Sequence, residues 1–413
     1  MEERDRQPKE YFREYRKLLP AANKYTYLNS AGCGPLALPV LNRMTEIFTY
    51  MAEEGQVNVK AHDEVKELLE EARKDVAEFI NARPEEIFFV RCIAEGLNTI
   101  NRMFTWEPGD KLLISDQENP ASILPCFVLG PEYKTETDKF CGLGNKEEIL
   151  EAFKDKLCDK TRMAVFSHVF HTTGAAVPAR EMCAMCREKG IITVLDGAQA
   201  AGNIVIDVKE LDCDFYALSC HKWLCGPEGI GAVYIRKELL KQLKIPFGGV
   251  GIQTSFDFQD NTWIPQPDAR RFEYGGRHVP MYTAFSQTIR LAREIGLGCI
   301  VSRKKELHEY CRNAFLQKIP EAVILSPEDQ RLITGIFSFR LPGMDHREIV
   351  KQAWEEEKII IQWRTVNLYT KEEGIRVSLN WFVTEEEVDK LVLFIRRITP
   401  HPPTGASTPL MPR

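Results

Sequence analysis

The chain has no apolar run long enough to cross a membrane, and its first stretch, MEERDRQPKEYFREYRK, is too charged for a secretion signal. It has no block of like charges, and a formal net charge of −6 argues against a nucleic-acid surface. Its 12 cysteines lack the paired spacing of a disulfide framework, so free thiols in a cytoplasmic protein are expected. Cys183 and Cys186 form a CxxC, but inside a helical pattern (AREMCAMCREKG) with no second pair nearby, so no metal site is assigned. No internal repeat occurs. Neither a membrane nor a nucleic acid is therefore an expected partner.

What remains is the composition of an ordinary soluble protein, 44% hydrophobic and 28% charged, in 413 residues, enough for two domains. Apolar, β-rich runs at 86–90, 111–115, 162–168, 191–196, 214–219 and 230–235 alternate with helical stretches such as 95–104, 146–156 and 178–189. That βαβ pattern predicts an α/β fold with a mostly parallel sheet wrapped by helices. Beyond about residue 290 the texture changes. A long helix (IRLAREIGLGCIVSRKKELHEYCRNAFLQKI) is followed by strands at 334–340, 359–366 and 374–380, with a helix over 346–357. Thr384 and Glu387 form a capping box that opens a last helix over 385–397. This reads as a smaller C-terminal α+β domain. The expected boundaries are 1–40 as a segment contributing to the small domain, 41–285 as the large domain, 286–398 as the small domain, and 399–413 as a proline-rich, disordered tail.

In open α/β sheets a ligand sits at the carboxyl ends of the strands, and the chemically unusual residues fall on such ends. Arg91 to Gly96 follow the first run, where the N–H groups of a helix start around Ala94 and Glu95 suit a phosphate. His168 and His171 follow the third run, Asp196 ends the fourth, and Ser219, Cys220, His221 and Lys222 follow the fifth. Taken singly, Asp196 reads as a turn or helix cap, the histidines as structural, and Lys222 as a side chain snorkelling to solvent. Taken together, an anion cradle, an acid, a lysine and imidazoles at one sheet edge describe a site for pyridoxal phosphate. Such a cofactor needs an amine kept nucleophilic by desolvation, a carboxylate to hold the ring-nitrogen proton, and a small residue such as Ala198 against the ring.

The stretch DGAQAAGNIVIDVKELDCDFYALSCHKWLCGPEGIGAVYI resembles the cofactor signature of class V, fold-type I aminotransferase-like enzymes, among them cysteine desulfurases, cystine C–S lyases and isopenicillin N epimerase. The resemblance runs from NSAGCGPL (29–36) to RVSLNWFVTEEEVDKL (376–391). It implies a large domain that binds pyridoxal phosphate on a mostly parallel seven-stranded sheet, and a homodimer with shared active sites. By the same resemblance Lys222 is the Schiff-base lysine, Asp196 the ring-nitrogen partner, and Gln199 the partner of the phenolic oxygen. Ala198 packs on the ring, while Ser219, His221 and the backbone around Ala94 and Glu95 hold the phosphate. Arg376 grips the substrate carboxylate, with Arg364 and Asn29 as further substrate contacts; a bidentate grip explains why arginine and not lysine is required.

The departures carry information. Ala94 stands where relatives place a threonine, Asn119 where desulfurases stack a histidine on the ring, and His171 where they have an asparagine. Gly276, in FEYGGRH, replaces a threonine that in relatives reaches the neighbouring subunit's phosphate. Desulfurases also carry a nucleophilic cysteine before the position of Arg376, whereas here IIIQWRTVNLYTKEEGIRVS has none. Arg364 in WRTV is similar to the C–S lyase and epimerase branch. The implied activity is β-elimination from cysteine, cystine or a cysteine conjugate, giving pyruvate and ammonia. Cysteine desulfuration (with Cys33 or Cys225 recruited), epimerisation and amino transfer are the alternatives.

Overall fold

The computed structural model describes residues 9–55 and 58–399. Its main sheet has seven strands: β1 (Ile87–Val90), β2 (Lys111–Ser115), β3 (Glu136–Phe140), β4 (Thr161–Ser167), β5 (Ile192–Asp196), β6 (Phe215–Ser219) and β7 (Gly231–Ile235). They lie in the order β1-β7-β6-β5-β4-β2-β3. The four junctions from β6 to β3 are parallel, and both junctions of β7 are antiparallel. The exception has a simple cause. Parallel neighbours need a helical crossover, and residues 220–230, which join β6 to β7, contain no helix, so the chain doubles back.

Alternate strand residues enter two separate apolar cores. Leu113, Phe166, Leu195 and Leu218 pack on one face, and Leu112, Ile114, Val165, Val194 and Ala217 on the other. A sheet buried on both sides reads as continuous apolar runs, which is why six of these strands stand out in the sequence. β3 does not: ETDKF is an edge strand with only Phe140 buried, and the sequence reading omits it.

A four-stranded antiparallel sheet lies toward the C-terminus: β8 (Val323–Ile324), β9 (Ile336–Arg340), β10 (Gln362–Asn367) and β11 (Glu372–Ser378), in the order β8-β9-β11-β10. The single long helix expected before it is two helices, Val279–Ile295 and Leu297–Lys318. The break falls at Gly296, whose φ of +89° favours glycine. The final helix, Glu385–Ile398, opens on the capping box read from Thr384 and Glu387. Near the N-terminus, Thr26–Tyr27 pairs in parallel with Ile359–Ile360, and Arg16 is ion-paired to Glu387. Of the tail expected to be disordered, residues 400–413 lie outside the described residues. No helix among the described residues is long and apolar enough to cross a membrane.

Candidate active site

Because β2, β4, β5 and β6 run parallel, their carboxyl ends share one edge, and Asp196 is the last residue of β5. Its carboxylate is buried and doubly held: Oδ1 accepts the Ala198 N–H at 2.7 Å, and Oδ2 accepts the Ser122 hydroxyl at 2.6 Å. Ser122 stands in the first turn of the helix Pro120–Tyr133. The sequence reading missed it because the hydrogen bond joins residues 74 apart. Behind it lies a second buried acid, Glu118, which accepts hydrogen bonds from Ser115, the Ser167 hydroxyl and the Ser167 N–H. Burial pushes Glu118 up to about 7, the seryl hydrogen bonds pull it back, and the Asp196 charge adds to the rise.

Lys222 follows the end of β6. Its amine is pulled down to about 8, first by desolvation; Asp196 opposes the shift, and Arg376 and Arg364 reinforce it. The loop at residues 29–36 is strapped over this segment. The Gly34 N–H donates to the His221 carbonyl at 2.7 Å. A Cβ on Gly34 would lie 2.1 Å from the Lys222 carbonyl oxygen, which accounts for glycine at that close approach. From the same loop, the Ala31 carbonyl accepts the Gln199 side-chain amide at 2.8 Å, and Asn29 Oδ1 accepts from Arg376 at 3.4 Å.

Arg376 is buried on β11, and one of its terminal nitrogens donates to the His171 carbonyl at 3.0 Å. Its pKa is lowered to about 9 by burial and by Arg364. In the β10–β11 register Arg376 faces Gln362 and Arg364 faces Gly374, so the two guanidiniums share a face as diagonal neighbours. Neither forms an ion pair among the described residues, and each has a buried Nε without a hydrogen-bond partner. His171 stands beside them. Burial first, then Arg376, Lys222 and Arg364, lowers its pKa to about 3, so its imidazole is neutral, and Nδ1 is unpartnered. The same cause takes His168 to about 4, and its Nδ1 bonds the Tyr216 hydroxyl at 2.9 Å.

The proposed phosphate end has the same unpaired character. Ser219 Oγ and His221 Nδ1 are buried with no partner. The helix Ile93–Arg102 begins at Cys92 without a side-chain cap, leaving its first N–H groups, those of Ala94 and Glu95 included, open to an acceptor. Gly96 lets that helix lie close against the sheet: a Cβ there would lie 2.7 Å from Val233 and 4.0 Å from the Cβ of Ala217 on β6. Ala198 is buried in the core on the other side of Asp196.

The resemblance also implies Asn119 and Gly276 as cofactor contacts. Asn119 caps the helix Pro120–Tyr133, its side-chain oxygen accepting the Ala121 N–H at 3.0 Å. Gly276 is exposed and lines a cavity of about 280 Å³ with Arg91, Glu95, Arg277 and His278. Cys183 and Cys186 are buried in the core, where desolvation raises both thiols. Orphan donors for an anion, a doubly held acid and a lysine of lowered pKa fit a phosphate-bearing pyridine whose nitrogen is protonated.

Known proteins resemble this chain over most of its length. A family model described as aminotransferase class-V matches residues 26–391. The isopenicillin N epimerase of Streptomyces clavuligerus is 30% identical over 377 residues, covering 88% of this chain and 92% of that protein. A cysteine desulfurase of Salmonella choleraesuis (strain SC-B67) is 33% identical over 348 residues, covering 80% and 82%. Among solved structures, the cystine C–S lyase C-DES in complex with its product cysteine persulfide superposes with a TM-score of 0.85 at 24% identity, over 92% of this chain and all of that one.

Proposed function

Since the chain belongs to the aminotransferase class-V family, we propose that it is a pyridoxal-phosphate enzyme that eliminates a β-sulfur group from a cysteine-type amino acid. Pyridoxal phosphate is the cofactor: Lys222 would bind it covalently, Asp196 would hold its ring nitrogen, and Gln199 its phenolic oxygen. Ser219, His221 and the N–H groups of Ala94 and Glu95 would hold its phosphate. When bound, it supplies an electron sink for the charge left on a substrate's α-carbon.

The protein's own groups do the rest. Arg376, preset by the His171 carbonyl and Asn29, takes the substrate carboxylate. That contact orients the α-C–H toward Lys222, whose lowered pKa of about 8 keeps a useful fraction of free amine near neutral pH. After Lys222 takes the α-proton, a thiolate leaves from the β-carbon, and the unsaturated product hydrolyses to pyruvate and ammonia. Arg364 is a second unpaired cation on the same sheet face. A leaving group with its own acidic function, as in cystine, would pair with it.

One observation carries elimination over desulfuration. Residues 362–367 form an ordered strand, β10, with no cysteine, where a desulfurase needs a nucleophilic thiol on a mobile loop. Cys33 is the thiol within electrostatic reach of Lys222, but burial and Glu228 raise its pKa, against nucleophilicity. A second reading, epimerisation at the α-carbon, draws support from the 30% identity to isopenicillin N epimerase over 92% of that protein. The test is a product balance on cysteine and cystine. Pyruvate and ammonia support elimination. Alanine with a protein persulfide would replace it by desulfuration, and recovered substrate of inverted configuration would replace it by epimerisation.

A further inference from the structure

We propose that Trp223 is a positioning residue that fixes which end of the Gln199 amide faces the cofactor, a proposal that rests on Gln199 being the phenolic-oxygen partner. A side-chain amide can turn by 180° with little change of shape, and only its hydrogen-bond partners decide which end points where. Trp223 Nε1 donates to Gln199 Oε1 at 2.8 Å, and Gln199 Nε2 donates to the Ala31 carbonyl at 2.8 Å. An indole N–H only donates and a carbonyl only accepts, so the two neighbours enforce the same orientation. One N–H of the amide remains for a further acceptor.

The indole is itself held from several sides. Trp223 is 1% exposed. Lys304, buried on the helix Leu297–Lys318, has its Nζ 5.4 Å from the ring centroid and donates to the Gly202 carbonyl. Gly335, just before β9, is pressed against the ring: a Cβ there would lie 2.8 Å from Trp223 Cζ3. The Gly335 N–H donates to Oδ1 of Asn203, whose own amide donates to the main-chain carbonyl of Gln199 at 3.0 Å. Through Trp223, the Gln199 amide is thus held against the backbone that leads into the C-terminal sheet.

The test uses the holoenzyme without substrate and reads the midpoint of its visible-absorption pH titration. A donor to the phenolic oxygen stabilises the anionic form, so losing it raises the midpoint. Trp223→Phe keeps an aromatic ring and removes the donor; a rise of about one pH unit is expected, the scale of one hydrogen bond to a charged group. Gln199→Leu should raise the midpoint similarly, and Trp223→Phe added to Gln199→Leu should change it no further, since the indole acts only through the amide. Should phenylalanine not fold, Trp223→Met, flexible and without a donor, carries the same expectation. An unmoved midpoint in Trp223→Phe or Trp223→Met, or the same rise with and without Gln199, overturns the proposal. An unmoved midpoint in Gln199→Leu overturns instead the role assigned to Gln199.

Discussion

The two ends of the candidate site differ in how their polar atoms are satisfied. Around Asp196 and Gln199 the groups are matched: both carboxylate oxygens and both ends of the amide have protein partners between 2.6 and 2.8 Å. Around Arg376, Arg364 and His171, and again at Ser219 and His221, buried nitrogens and a hydroxyl have none. Buried polar groups are normally satisfied, because an unpaired one costs about 1–3 kcal/mol. The matched region therefore holds side chains in one geometry. The unmatched regions hold unpartnered polar atoms, which is what the proposed phosphate and carboxylate sites require.

The largest effect is expected from breaking the matched end. Lys222→Ala should lose nearly all turnover, because no other lysine shares the strand-end position that faces Asp196; the check is a borohydride-trapped cofactor located by peptide mapping. Asp196→Asn should keep the fold and part of the cofactor but lose most of the rate, since a neutral amide cannot hold the ring-nitrogen proton. Near wild-type turnover in Asp196→Asn would show that another group manages that proton.

At the unmatched end the effect should be smaller and should depend on substrate charge. Arg376→Ala should reduce kcat/KM by about 2–4 kcal/mol, or roughly 30- to 1000-fold, because the carboxylate clamp also aims the α-proton at Lys222. Arg364→Ala should be milder with cysteine and more harmful with cystine, which has a second carboxylate. Equal losses on both substrates would separate Arg364 from the leaving group.

The same contrast explains what was legible in the sequence. Lys222, Asp196, Ser219 and His221 fall at or beside strand ends, where local pattern and chain order mark them, whereas Arg376 lies inside β11 and is named from the family resemblance. Six main-sheet strands showed as apolar runs because both faces are buried; β3, with one buried residue, had no such signal. The helix break at Gly296 was hidden because apolar residues continue through it, although a glycine in a helical pattern is a warning of a stop. Ser122 and the Trp223 N–H act through partners brought together only by the fold. Asn119, named from the resemblance as a ring-stacking position, is also a helix cap, a role that asparagine before proline signals.

A further prediction concerns the cost of the lysine itself. Lys222 has a folded pKa of about 8 against an ordinary 10.5. A lysine with a lowered folded pKa destabilises the fold in its charged form. The penalty is full below about pH 8 and fades as the pH rises toward 10.5, where the unfolded chain also loses the proton. In the cofactor-free protein, Lys222→Met should therefore raise stability at pH 7, by up to about 3 kcal/mol, with the advantage shrinking between pH 8 and 10.5. Thermal melts of both proteins across that range check the sign. An advantage that grows with pH would mean that the charged lysine is well paired.

The smallest effect is expected from Ser122→Ala, which sharpens the contrast because it removes one contact from the matched end and leaves the acid in place. Ser122 is fully buried, and its hydroxyl is one of two donors to Asp196, the other being the Ala198 N–H. The methyl of alanine fills nearly the same space, so packing should survive. One oxygen of the carboxylate loses a donor, which lets the side chain turn about the bond it keeps to Ala198. A hydrogen bond to a charged group contributes about 1.5–3 kcal/mol when its loss leaves the charge unpaired, and less when a second donor remains. A loss of about 1 kcal/mol in transition-state binding, roughly five-fold in kcat, is therefore expected, with KM nearly unchanged because Arg376 still holds the substrate. Ser122→Thr, which restores a hydroxyl at the cost of a methyl in a tight space, should recover part of the rate. If Ser122→Ala instead raises KM with kcat intact, the serine serves substrate binding, and the acid is positioned by Ala198 and its strand alone.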